Sequence, residues 1–363
     1  MRPNQFTFLL VSLLLALSAC SAPEQRLIVS IVGDQFFLDG EPTYKGRTWE
    51  GHPIEGLLMN SRMVQGIFDD LNPATASKWK YPDTGVWDPD RNTNEFVDAM
   101  ADWQSHGLLS FTINLQGGSP MGYGNAGWHN SAYDNKGELL PDYMDRLKRI
   151  LDEAEKLKMV PIVGLFYFGQ DQFLEDDAAV KNATEKTIEW LHAQSYRNIL
   201  IEIANECDNG DYDRDIIKRD RVHELIQLVK SMEKDGFHYL TGTSFNGNTI
   251  PSPNVVQHSD FILIHGNGVN DPARITEMVE ETRQVDGYKK MPIVFNEDDH
   301  YNFETESNNM VAAVKAYASW GYFDFRRDGE AYEEGFQSVP PDWKISSVRK
   351  QAFFGKVKEI TGY

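Results

Sequence analysis

The chain is short of cysteine: of 363 residues only Cys20 and Cys207 carry a thiol. Cys20 falls in the leader-like N-terminus, so the folded part can form no internal disulfide, and a core of this size needs none. Basic residues are also scarce. With 35 Lys and Arg against 55 Asp and Glu, the net charge is −20. Such an excess excludes nucleic acid as a partner and excludes capture of acidic polymers by bulk electrostatics. No His-x-His pair occurs among the nine histidines, which argues against a metal-dependent barrel hydrolase. Gly-x-Ser-x-Gly is missing too, and with it the signature of a serine hydrolase. Beyond the leader no apolar run is long enough to span a bilayer.

The leader itself has a positive Arg2 followed by the apolar stretch Phe6 to Leu17, shorter than the roughly 20 residues of a membrane span. It ends in Leu17-Ser18-Ala19-Cys20, which resembles a bacterial lipobox. That resemblance implies removal of residues 1–19 and lipidation of Cys20. Residues 20–25 would then be a tether. The expected product is an exported lipoprotein of the outer membrane, touching the bilayer only through its lipid.

Residues 26–363 read as a single domain. Leu27 to Gly40 alternates around Gly33-Asp34 as a small β-hairpin. After it, strand-like and helix-like segments alternate to the end, the pattern of a parallel α/β fold. Expected strands are 43–46, 109–115, 160–166, 199–204, 239–242, 261–265, 293–296 and 321–325. Helical spacing of apolar residues covers 94–105, 141–158 and 222–234. Eight strands with intervening helices predict a (β/α)8 TIM barrel preceded by the short N-terminal β-hairpin. Two connections are long, from Arg47 to Arg91 and from Gln116 to Leu140. Long loops after barrel strands usually build the site.

Two segments carry the chemistry. Ile199-Leu-Ile-Glu-Ile-Ala-Asn-Glu206 and Met291-Pro-Ile-Val-Phe-Asn-Glu297 are apolar runs that stop at Asn-Glu, as buried parallel strands do when they leave the core. Carboxylates at the C-terminal ends of two barrel strands are what retaining glycosidases use. With Asp39-Gly-Glu-Pro42 ahead of the first strand, the arrangement resembles clan A glycoside hydrolases, the superfamily that includes family 5. The resemblance covers about residues 30–363. It implies a glycoside hydrolase in which Glu206 is the acid/base, Asn205 binds the sugar 2-hydroxyl and Glu297 is the nucleophile. Two details depart from family 5: Cys207 stands where proline often follows Asn-Glu, and the eighth strand lacks the usual tryptophan, although Trp320 is adjacent.

Around this pair, His265 at the end of the sixth strand is expected near Glu297 or a sugar hydroxyl. Arg47, just past the first expected strand, is expected to keep Glu297 ionised. Ionised Glu297 should in turn raise the Glu206 pKa. Asn114, Gln116 and Asn246 are candidate sugar hydrogen-bonders, and Trp128 is the candidate stacking platform. Glu202 shares a face with Glu206 but sits deeper, as a buried ion-pair partner would. The acidic run from Asp208 to Asp215 lacks EF-hand spacing and reads as a solvated loop. The partner expected is an oligo- or polysaccharide, with no cofactor and no metal. A glycan-binding barrel without turnover and a transglycosylase using the same carboxylates both stay open.

Overall fold

The computed structural model describes residues 26–124 and 127–363, so the leader, Cys20 and the tether lie outside the described residues. Val29–Val32 pairs antiparallel with Gln35–Leu38, and Glu41–Pro42 adds a third short strand. Gly33 turns the hairpin at φ +62°, which a residue without Cβ adopts freely. Val29 N–H donates to the Arg197 carbonyl and Phe36 packs on Phe261, so this small sheet covers the ends where parallel strands begin. It is far from the ends that carry the carboxylates.

Eight short parallel strands follow, at Asn60–Ser61, Ser110–Asn114, Val160–Tyr167, Leu200–Asn205, Leu240–Gly242, Ile262–His265, Ile293–Glu297 and Gly321–Tyr322. The second to fifth form one sheet, the sixth pairs with the seventh, and the eighth pairs with the first. Parallel bridges join Arg62 to Thr112 and Val294 to Ser319. Asp260 N–H donates to the Thr241 carbonyl at 2.9 Å between the fifth and sixth. Each strand therefore neighbours the next in chain order, and the last neighbours the first.

A helix follows each strand. Pro141–Lys156 shows why: Tyr143, Met144, Leu147, Ile150, Leu151 and Ala154 recur at helical spacing and are all buried against the strands. Each large apolar side chain so buried contributes about 1.5–3 kcal/mol. The helix expected from 94 begins earlier, at Pro89, because the Asp88 carboxylate accepts the Arg91 N–H and proline suits the first turn. That expected over 222–234 is shorter, His223–Ser231.

The first strand is the main correction. Residues 43–46 form a turn in which Tyr44 has φ +48°, and the Thr43 hydroxyl bonds the Phe36 and Leu57 carbonyls. The strand next to the second is Asn60–Ser61. Among the strands the interior is partly polar: Asn60, Arg62, Thr112, Asn114, Glu202 and Asn296 are all buried. Glycine makes room there, since a Cβ on Gly164 would lie 2.2 Å from Asn114 Oδ1.

Candidate active site

Glu206 and Glu297 leave the fourth and seventh strands on the same end of the fold. One carboxylate oxygen from each and a ring nitrogen of His265 all lie within 4.8 Å of one another. His265 Nδ1 is 3.0 Å from Glu206 Oε1 and 3.8 Å from Glu297 Oε2. The Glu206 backbone is left-handed, at φ +53°, and its N–H donates to Ser244 Oγ at 2.9 Å.

Glu297 is held by an ion pair and a hydrogen bond. Arg62 Nε reaches Oε2 at 2.6 Å, and Asn267 Nδ2 reaches Oε1 at 2.6 Å. The Arg62 guanidinium is wholly buried. It also donates to Asn205 Oδ1 at 2.6 Å and lies 3.6 Å from Glu202. Glu202 in turn accepts from Ser244 Oγ at 2.6 Å and Asn296 Nδ2 at 3.2 Å. One cation thus faces a buried carboxylate below and the site carboxylate above.

The electrostatics follow from this packing. Burial raises the Glu297 carboxyl, with Arg62 and His265 opposing. Burial would raise Glu206 as well, but the His265 hydrogen bond and charge, Arg62 and Asn209 together hold it below the usual carboxylate range. The expected upward shift at Glu206 is therefore reversed, because the paired imidazole, with Arg62 and Asn209, outweighs burial. Burial alone would lower His265, yet Glu297 and Glu206 outweigh it and raise the imidazole.

The other sequence candidates divide. Arg47 is not at the site: its guanidinium donates to the Ile360 and Glu359 carbonyls on the last helix. The cation facing Glu297 is Arg62, and the misplacement follows directly from the misread first strand. Trp128 is no exposed platform either. It is buried with Phe68, Trp79 and Val339, its ring 5.7 Å from that of Trp79. Asn114 is buried beneath the site, and Gln116 is engaged with Ser131, the Gln170 carbonyl and the Tyr167 N–H. Asn246 reaches the site indirectly, accepting from Asn209 at 3.3 Å. Residues not anticipated are Arg62, Asn267, Asn209, Ser244 and Tyr123. Only Asn267 carried a signal, two residues beyond His265 in a polar strand exit.

Glu206, His265 and Glu297 offer three donors close enough for a metal ion, as do Asp298, Asp299 and His300. At the first cluster the buried Arg62 cation beside Glu297 opposes a second positive charge, and Asn267 already occupies the other Glu297 oxygen. At the second, Asp298 already accepts from His300, Asn309 and Trp320. Gly122-Tyr-Gly124-Asn-Ala-Gly127 has the spacing of a dinucleotide loop, which works only where a strand turns straight into a helix. Here the strand ends at Asn114 and the next described helix starts at Pro141.

No family model matches the chain, and no curated protein matches it. Among solved structures it is similar to a β-mannanase from the blue mussel Mytilus edulis, with TM-score 0.55 at 11% identity over 93% of this chain and 97% of that one. A GH5-4 broad specificity endoglucanase from Bacteroides salanitronis gives 0.53 at 12% identity, covering 84% and 93%. A glycoside hydrolase family 5 enzyme from Prevotella bryantii B14 gives 0.52 at 12%, covering 84% and 96%. The chain has the fold of family 5 glycoside hydrolases.

Proposed function

We propose that this chain is a retaining glycoside hydrolase of oligo- or polysaccharides, its eight parallel strands closed as one (β/α)8 domain over residues 26–363. The observation that carries the reading is the separation of the carboxylates, with oxygens of Glu206 and Glu297 within 4.8 Å. Retaining pairs stand roughly 5–5.5 Å apart, whereas inverting pairs need about 6.5–9.5 Å to admit a water. The shared fold supports the same class. The relatives named as endoglucanase and β-mannanase make β-glucans and β-mannans the first substrates to try.

In this reading Glu297, fixed by Arg62 and Asn267, attacks the anomeric carbon. Glu206 delivers a proton to the leaving oxygen, drawn from the proton it shares with His265 Nδ1 3.0 Å away. Forming the glycosyl ester removes the Glu297 charge, which lowers the proton affinity of Glu206 and keeps it ionised, available as the base toward the incoming water. Asn205, whose Oδ1 is taken by Arg62, has its Nδ2 left to donate to a sugar hydroxyl.

The test is a screen of nitrophenyl glycosides and plant, algal and microbial polysaccharides, followed by proton NMR of the earliest product. The first product should keep the substrate's anomeric configuration; an inverted one removes the double displacement, and binding without turnover removes the enzyme. We also infer outer-membrane anchorage through a lipid on Cys20. Cys20→Ser should release the protein from the membrane fraction and spare catalysis.

A further inference from the structure

The loop after the second parallel strand crosses beside the mouth of the site. Its Tyr123 hydroxyl donates to Asp299 Oδ2 at 2.8 Å, two residues past Glu297, and Gly268 N–H donates to Asp299 Oδ1 at 3.2 Å. The Tyr123 ring packs on Phe323 and Phe325, with centroids at 5.6 and 5.2 Å, where the chain leaves the eighth strand. The crossing therefore runs from the second strand's loop to the seventh's, over the ends of the first and eighth.

This bridge is built in. Gly118 O accepts from Gln65 Nε2 at 2.7 Å and from Gln337 Nε2 at 2.8 Å, and Val339 N–H donates to Pro120 O at 2.8 Å. Gly122, at φ +104°, lies so close to Phe325 that a Cβ would stand 2.6 Å from its ring. The side chain is exposed at the rim, yet local desolvation of the hydroxyl, with the nearby Glu297 and Asp299 charges, pushes the Tyr123 phenol up, so it stays a neutral donor beside the carboxylate.

The direction of cleavage gives the bridge a meaning. A leaving group departs toward the acid, Glu206, on the fourth strand, which stands opposite the eighth. The glycan beyond the attacked sugar, toward its non-reducing end, then runs toward the first and eighth strands and meets Tyr123 and Asp299. Resting on the glycosidase reading above, we propose that the Tyr123–Asp299 bridge closes that end of the cleft, so that the enzyme takes the non-reducing terminus of a glycan and releases a single product length.

The experiment uses the full chain on carboxymethylcellulose and galactomannan, with cello- and manno-hexaose labelled at the reducing end. The wild type should accumulate reducing ends with little loss of viscosity, and the hexaoses should yield one short unlabelled product. Tyr123→Ala should shift this to mixed lengths with an early viscosity drop, and Tyr123→Phe, which keeps the ring packing, should shift it less. Early viscosity loss and mixed products from the wild type would overturn the proposal while leaving the glycosidase intact, whether or not the variants fold. A wild type inert on these and on the whole glycoside panel removes the glycosidase reading and this proposal with it.

Discussion

Arg62 Nε stands 2.6 Å from Glu297 Oε2 with both side chains nearly shut off from solvent, and the same guanidinium bonds Asn205 and faces Glu202. One buried cation thereby aligns Glu297, Asn205 and the polar layer beneath them. Its planar fork is what allows three directions at once.

Arg62→Met should destabilise the fold by about 3–5 kcal/mol, because it leaves Glu297 and Glu202 buried without their cation. Arg62→Lys should recover much of that stability yet lose the fork, and a misaimed nucleophile costs about 10²-fold in rate. Urea unfolding and turnover of an activated glycoside separate the two effects. An Arg62→Met protein as stable as the wild type would show that the pair does not hold the site together.

Glu206→Ala should still form the glycosyl ester from substrates with good leaving groups and then stall, since nothing activates water. Added azide should restore turnover and appear as a glycosyl azide of the substrate's own anomer. With Glu297→Gln there should be no ester and no rescue. Azide without effect on the Glu206 variant would assign the acid elsewhere.

His265 gains two carboxylates on folding, and its pKa rises above the ordinary histidine value. A raised folded value means the stabilisation is complete below the unfolded pKa and fades as pH rises through the folded one. Wild type should therefore be more stable than His265→Asn in mild acid, with the gap narrowing toward alkaline pH. His300, raised by Asp298, has the same sign but is common to both proteins and cancels in the difference. Melting temperatures across pH give the answer, and a gap that widens with pH would reverse the assignment.

The fourth and seventh strands were legible because long apolar runs stop sharply at Asn-Glu, and both carboxylates come to one end. The first strand was not legible. Met59-Asn-Ser-Arg-Met63 is short, and its polar side chains face a polar interior, so neither alternation nor an apolar run marks it. Choosing residues 43–46 instead pulled the expected cation to Arg47. Trp128 misled for another reason: its own neighbours are polar and glycine-rich, whereas the Trp79 and Phe68 that bury it arrive from a different loop. Local sequence cannot report such a meeting.

The left-handed backbone at Glu206 has a consequence for how this chain can change. Most residues enter that conformation only at about 1 kcal/mol or more, and glycine or asparagine enters it readily. The Ser244 bond to its N–H holds the strained geometry in place. Asparagine at position 206 would therefore relax the backbone there and give a sturdier fold.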